Sequence, residues 1–298
     1  MGRGVDKIDL SWIVVSHQSR SDLAMLLPSL VEEFAALRRA ELMTELFVVD
    51  NASRDGSAEV ARRAAPEAHV MALPENRGYG AALCVAAALA RGRWLACSNA
   101  DLLIPAAGLS ALPELLSDSA PDAAVLAPRM HDSDGSLQLS VGRHPTLLSL
   151  LTGLLRPRAA RAFLPACRHR RGVVDWASGA CLLFRADAFA AAGGFDMRFF
   201  LYYEDCDIAL RLARGGLVTR YEPALTVVHR RPHHGRPREE AIEMKVRASR
   251  NEYFRLHRPW WEAAAVAALG ELEPLLRWPA AGGLSMQTAE RSDARARE

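Results

Sequence analysis

The chain lacks an excess of charge of either sign, and that narrows what it can bind. Lys plus Arg total 37 against 35 Asp plus Glu, a net charge of +2, far from the basic surplus that a nucleic-acid binder carries. Cysteine is sparse as well. Cys84, Cys97, Cys167, Cys181 and Cys206 form an odd set of five with no C-x-x-C spacing, which argues against a disulfide framework and a structural zinc site and suits a reducing cytoplasm. No apolar run reaches the ~18–20 residues of a membrane-spanning helix. The longest candidates, 147–155 and 263–269, are too short. Met1 to Leu10 carries charge and no apolar stretch of signal-peptide length, so neither secretion nor organelle import is expected. No internal repeat is visible.

What the chain does have is enough apolar material for a core: half of its 298 residues are hydrophobic, sufficient for one large domain with an appendage. Ser11–Ser16 reads as a buried strand, followed by a helix over 22–39 with Leu23, Leu26, Leu27, Leu30 and Phe34 on one face. A second strand over 45–50 stops at the turn-rich Asn51-Ala52-Ser53-Arg54-Asp55-Gly56, and Ser57 is placed to cap the next helix, which runs to Ala65. The alternation continues with a strand at 70–73, an Ala-rich helix at 80–91 and a strand at 94–98. A helix follows Pro105, and a further strand lies near 123–127. Strand and helix in alternation predict a parallel α/β sheet. Three strands end at polar clusters, Ser16-His17, Asp50-Asn51 and Asn99-Asp101, and the carboxyl ends of strands are where open α/β sheets bind ligands.

Residues 130–173 are less regular and include an Arg-rich run, 156–171, with six Arg and no acid. A second basic run spans His229 to Arg238, ahead of helices expected over 239–256 and 260–278. Such runs are usually solvated faces, and they also suit anionic lipid headgroups or a polyprenyl diphosphate. Pro259-Trp260-Trp261 and Trp278 fit either an interfacial helix or core packing. The last stretch, 286–298, is expected to be a disordered tail.

Individual motifs carry two readings each. Asp50 either stabilises its own Asx-turn or offers a carboxylate to a ribose or base. Asn76-Arg77-Gly78-Tyr79-Gly80 opens a helix after a strand, where glycines admit close backbone approach and the helix terminus favours negative charge. It lacks the full G-x-G-x-x-G and is a weak dinucleotide signal. Val174 to Cys181, Gly193 to Asp196 and Tyr203-Glu204-Asp205-Cys206-Asp207 combine a Gly-rich turn, aromatics and adjacent carboxylates in an apolar setting. A general base for an alcohol nucleophile can be built that way. The same acids also complement the dipole of a helix expected from Asp207 to Arg214.

Taken in chain order, Val49-Asp50-Asn51-Ala52-Ser53, Ser98-Asn99-Ala100-Asp101 and Gly194-Phe195-Asp196 through Asp205 resemble the family 2 glycosyltransferases, and within them the rhamnosyltransferase type. The likeness spans roughly Ser11 to Asn251. It implies a GT-A fold: a Rossmann-like, mostly parallel sheet flanked by helices, with a C-terminal helical appendage. It implies a catalytic domain over 1–222, with a donor half 1–128 and an acceptor half 129–222, and a C-terminal segment 223–285 that meets a membrane surface or a second copy of the chain. Ser16, His17, Asp50, Asn51, Asn76, Gly78, Asn99 and Asp101 would hold the nucleotide-sugar donor. Asp101, where the family has the D-x-D that binds a divalent cation, and His229 would hold Mg²⁺ or Mn²⁺, although Asn99 replaces the first Asp. Asp205 would be the base, with Glu204 supporting it and contacting the acceptor, and Trp176, Gly179 and Ala180 lining the acceptor site. The expected reaction is inverting transfer of a deoxyhexose from a dTDP or UDP donor to a glycan or polyprenyl-diphosphate-linked hydroxyl, in envelope polysaccharide synthesis at the inner face of the membrane.

Processive synthases of the family carry Q-x-x-R-W and several membrane helices. Here Pro274-Leu275-Leu276-Arg277-Trp278 has Pro at the Gln position, so single addition is expected. Two alternatives stand beside this reading. A catalytically lapsed, nucleotide-sugar-binding scaffold fits Asn99 but not the joint presence of Asp50, Asp101 and Asp205. A sugar nucleotidyltransferase would need a Gly-rich, basic loop where Ser16-His17-Gln18-Ser19-Arg20 stands.

Overall fold

The computed structural model describes residues 7–154, 170–230 and 240–272. In chain order the elements are β1 (Leu10–Ser16), α1 (Arg20–Arg39), β2 (Thr44–Asp50), α2 (Ser57–Ala64), β3 (His69–Ala72), α3 (Tyr79–Ala87), β4 (Trp94–Asn99) and β5 (Leu102–Leu103). There follow α4 (Leu112–Ser117), β6 (Ala123–His131), β7 (Leu137–Gln138), β8 (Val141–Gly142), α5 (Leu147–Leu154), β9 (Gly172–Val174), β10 (Trp176–Ala177) and β11 (Cys181–Arg185). The chain continues through α6 (Ala186–Ala191), α7 (Glu204–Arg214), β12 (Val218–His229), α8 (Glu240–His257) and α9 (Trp260–Leu272).

The main sheet runs in the order β3-β2-β1-β4-β11-β6-β12-β5. Its first half, β3 to β4, is parallel throughout. Every residue of β1 and β2 is buried, because helices cover both faces of a parallel sheet and leave its strands nearly all apolar. The stripe read from α1 docks as expected: Leu23, Leu26, Leu27, Leu30 and Phe34 are buried with Leu37 against Trp12, Val14 and Val48. Five such side chains withdrawn from water contribute roughly 1.5–3 kcal/mol each before chain entropy is charged against them. β11 enters antiparallel to both β4 and β6. At that junction the Asn99 N–H donates to the Ala180 carbonyl at 3.0 Å, so the end of β4 and the start of β11 share one floor.

Several sequence expectations are corrected. Ser57 does not cap α2: Gly56, in the left-handed region at φ +85°, is the cap residue, and Ser57 instead donates its N–H and hydroxyl to Asp55 Oδ1 at 3.0 and 2.6 Å. The boundary drawn at 222/223 falls inside β12, which runs unbroken along β6 across that point apart from a bulge between Glu222 and Thr226. The region 130–173 contains β7, β8 and α5. Of the first basic run only Arg170 and Arg171 are described, and Arg171 pairs with buried Glu222 at 2.6 Å. The rest of that run, the second basic run beyond Arg230, residues 274–278 and the tail lie outside the described residues.

The C-terminal helices are bolted to α7. Tyr253, Phe254 and Val266 share a core with Trp176, Phe199, Cys206 and Ala209, and the His257 Nε2 lies 2.7 Å from Asp207 Oδ1. α9 also meets α5, where the Leu147 N–H donates to Glu262 Oε2 at 3.0 Å. Among the described residues no helix is long and apolar enough to cross a membrane.

Candidate active site

The residues expected on the donor side converge at the carboxyl ends of β1, β2 and β4. Asp50, the last residue of β2, is buried and accepts the Ser53 N–H at 3.2 Å. The Asx-turn is therefore real, and it holds the carboxylate at the strand end rather than consuming it, since each carboxylate oxygen has two acceptor positions. Asn51 braces two loops at once. Its Nδ2 donates to Asn76 Oδ1 at 3.0 Å and to the Gly78 carbonyl at 3.1 Å, while its Oδ1 accepts the Arg77 N–H at 2.9 Å. Both amide hydrogens are spent inside the protein, so Asn51 shapes this corner and has no donor left for a ligand. Asn76 Oδ1 is likewise engaged, accepting the Gly78 N–H at 3.0 Å.

Gly78 sits at φ +85°, and a Cβ there would collide with the Phe200 carbonyl. Only glycine lets the loop before α3 press against the segment that leads into α7. The Tyr79 N–H fixes that approach by donating to the same carbonyl at 3.0 Å. His17 is exposed on the rim, with Nδ1 2.8 Å from the Asn51 carbonyl; a carbonyl only accepts, so Nδ1 carries the proton and Nε2 is left as an acceptor. Ser16 is buried beside it with a hydroxyl that has no partner.

Asp101 and His229, far apart in sequence, come together at 3.3 Å between Oδ1 and Nε2. Burial alone would raise the Asp101 pKa, but the hydrogen bond and charge of His229, aided by the Asn99 side chain, hold it below the usual carboxylate range. His229 ends β12, its main chain pairs with Leu102 of β5, and the Arg230 N–H donates to the Asp101 carbonyl at 2.9 Å. Behind the imidazole, Gln138 Nε2 lies 3.1 Å from His229 Nδ1.

The opposite wall carries the acids. The helix that holds them starts at Glu204, not Asp207, and its cap residue Tyr203 (φ +68°) follows Tyr202 (φ +66°). Two consecutive non-glycine residues in the left-handed region are strained, at a cost on the order of 1–3 kcal/mol each. Asp205 is held by main chain: Oδ2 accepts the Gly179 N–H at 3.0 Å and Oδ1 accepts the Cys206 N–H at 2.8 Å. Gly179 is also fixed from the donor side, its carbonyl accepting the Tyr79 hydroxyl at 2.8 Å.

The three acids of Glu204-Asp205-Cys206-Asp207 have separated fates. Burial and the adjacent Asp205 charge push Glu204 well above the usual carboxyl range, and its Oε2 is buried without a partner. Burial raises Asp205 too, opposed by the two N–H groups that favour its charged form. Of this close pair the main-chain N–H groups favour charge on Asp205, while the buried Glu204 Oε2 has no partner to favour its charged form. Asp207 is structural, with one oxygen on His257 and the other on Arg211 Nη2 at 2.6 Å.

Trp176 does not line an open face. It is 6% exposed, packs beneath α7 and α8, and spends its indole N–H on the Arg143 carbonyl at 2.8 Å. Ala180 is also buried, under the junction of β4 and β11. Only Gly179 of the three stands beside the carboxylates: a Cβ there would lie 3.6 Å from Asp205 Cβ and 3.7 Å from Glu204 Oε1. Gln138 sits in no motif, and the roles of Tyr79 and of the Tyr202-Tyr203 pair, although Tyr79 and Tyr203 stand within the motifs read above, escape a reading of the sequence because they arise from contacts across distant elements and from backbone conformation.

Known proteins agree with this architecture. The model of "Glycosyl transferase family 2" matches residues 11–189 and that of "Glycosyl transferase family group 2" matches 162–242. N-acetylglucosaminyl-diphospho-decaprenol L-rhamnosyltransferase of Mycobacterium tuberculosis is 29% identical over 284 residues, 88% of either chain. Rhamnosyltransferase WbbL of Escherichia coli K12 is 41% identical over 64 residues, 22% of this chain and 24% of its own. Among solved structures, the mannosyltransferase PcManGT of Pyrobaculum calidifontis, in complex with GDP-Man and Mn²⁺, superposes with a TM-score of 0.52 at 20% identity, covering 91% of this chain and 76% of that one. The fold is that of the GT-A glycosyltransferases, as expected. With a family model covering more than half of its length, the chain belongs to glycosyl transferase family 2 and is a glycosyltransferase.

Proposed function

We propose that the protein is an inverting rhamnosyltransferase that moves a deoxyhexose from a dTDP or UDP donor to a hydroxyl of a lipid-linked diphosphate acceptor. The observation that supports the reading is Asp205, fixed by two main-chain N–H groups, beside Glu204, whose carboxyl is pushed up by burial and by the Asp205 charge, on the wall facing the strand ends. Asp205 takes the proton of the acceptor hydroxyl while that oxygen attacks the anomeric carbon. The carbon–oxygen bond to the diphosphate breaks in the same displacement, its electrons leave with the diphosphate, and configuration inverts. Glu204, its carboxyl pushed up by burial and by the Asp205 charge, stands beside the base to contact the sugar or acceptor.

On the other wall Asp50 receives the nucleoside, and Asn51, Asn76 and Gly78 set the shape that admits it. Asp101 and His229 fit a divalent cation: the carboxylate is held in its charged form and the imidazole nitrogen faces it. Among the described residues no group of three or more His, Cys, Asp or Glu is placed to hold a metal ion by itself, so diphosphate oxygens would supply further ligands, as in sites where one or two carboxylates share a cation with substrate phosphates. A cation bound there would neutralise the diphosphate and stabilise its departure.

The lipid-linked acceptor follows from the M. tuberculosis relative, named for such a substrate, and from one surface of this chain. Trp260 is 82% and Trp261 52% exposed at the start of α9, beside Leu148 and Leu151 exposed on α5. Indoles of this kind sit at membrane headgroups, and the patch adjoins the core beneath Asp205. A single assay tests the reading: vesicles carrying N-acetylglucosaminyl-diphospho-polyprenol, incubated with dTDP-rhamnose or UDP-sugars. Rhamnose transfer with the protein sedimenting on the vesicles is expected. Transfer of another sugar, or none with any donor although nucleotide binds, would overturn the rhamnosyl reading or the enzymatic one respectively.

A further inference from the structure

Gln138 has no place in the reaction as drawn, yet it is the side chain against the back of His229. It lies in β7, buried, with Nε2 3.1 Å from His229 Nδ1 and with Oε1 buried and unpartnered. In this orientation the amide donates to Nδ1. The imidazole proton is then on Nε2, aimed at Asp101 Oδ1 3.3 Å away, and the ring is left with no lone pair for a cation. A half-turn of the amide exchanges its two ends. Oε1 would then accept from Nδ1–H, and the Nε2 lone pair would face the Asp101 carboxylate. No hydrogen bond at the far end of the amide opposes that turn.

We propose that Gln138 is a positioning residue that sets the tautomer of His229: amide nitrogen toward the ring when Asp101 and His229 are paired, amide oxygen toward it when they hold a divalent cation. This rests on the cation site proposed above. The physical ground is general: a metal-bound imidazole donates its other N–H to an acceptor that fixes the tautomer and raises the basicity of the ligating nitrogen. A side chain able to offer either a donor or an acceptor at one atom's position also lets the pair close when empty, sparing a buried carboxylate the cost of standing alone.

The test is Mn²⁺ affinity, by electron paramagnetic resonance of free Mn²⁺ in the presence of dTDP, for the parent and for Q138L, Q138E and D101A, each first checked for a native melting transition. Q138L, with no acceptor for Nδ1–H, is expected to weaken Mn²⁺ by about 10–100-fold. Q138E, whose carboxylate can only accept, is expected to bind at least as tightly as the parent. If D101A loses Mn²⁺ while Q138L binds it like the parent, Gln138 has no such role and the cation site stands. If Q138E is as weak as Q138L, the residue merely packs, and the inference falls. If D101A binds Mn²⁺ like the parent, the cation site itself is wrong and this inference goes with it. Should Q138L fail to fold, Q138E decides alone: weaker binding than the parent overturns the proposal.

Discussion

The two walls of the cleft are built on opposite principles. On the donor wall the polar groups, the Ser16 hydroxyl excepted, are satisfied: Asn51 ties the turn after β2 to the loop before α3 with three hydrogen bonds, and Asp101 is stabilised as a carboxylate by His229. On the acceptor wall the acids are not. Glu204 has a buried oxygen without a partner, both carboxyls of the Glu204-Asp205 pair are held above their usual range, and the chain enters α7 through two strained residues. A binding surface gains from rigidity and from groups that already stand in place. A base gains from being hard to ionise, because its affinity for the incoming proton rises. The molecule spends stability on one wall and recovers it on the other, with Tyr79 and Gly78 as the seam between them.

The contrast can be broken most severely at Asn51. Asn51→Leu keeps the branched shape but removes all three hydrogen bonds and leaves the Arg77 N–H without its acceptor, a loss on the order of 3 kcal/mol. That should lower the melting temperature by roughly 6–12 °C and weaken donor binding, both readable by thermal unfolding with and without nucleoside diphosphate. An unchanged transition would mean that the donor wall is not braced as described.

Glu204→Gln is expected to act in the other direction and more weakly. A carboxyl whose pKa is raised on folding binds its proton more tightly when folded, so stability is lost as pH rises above the group's ordinary value. Removing it should make the protein more stable than the parent, by a margin that widens as pH rises above the ordinary carboxyl value. Asp101 has the opposite sign: its lowered pKa contributes stability above the ordinary carboxylate value, lost as pH falls through the lowered one. A Glu204→Gln margin that shrinks as pH rises would show that the acceptor wall carries no such penalty.

Much of this was legible in the sequence where local chemistry decides. Buried strands ending at Ser16, Asp50 and Asn99 follow from apolar runs stopped by polar residues, and the apolar face of α1 follows from its periodicity. Trp176 was misread because a sequence does not distinguish an aromatic that faces a ligand from one that fills a core; here Arg143 and α8 claim it. The start of α7 moved to Glu204 because the turn before it depends on Tyr202 and Tyr203 at positive φ, which no propensity favours. Gln138 was invisible for a simpler reason. Its meaning comes from His229, 91 residues away, and a short strand in an irregular region gives no period to read.

The division of labour between the walls is tested most directly with Asp205→Asn, measuring sugar transfer and nucleoside diphosphate binding on the same preparation. The account predicts that transfer falls by about 10²–10⁴-fold while the dissociation constant for the nucleotide, set on the other wall, is that of the parent. Transfer at the parent rate, or nucleotide binding lost in step with transfer, would contradict it.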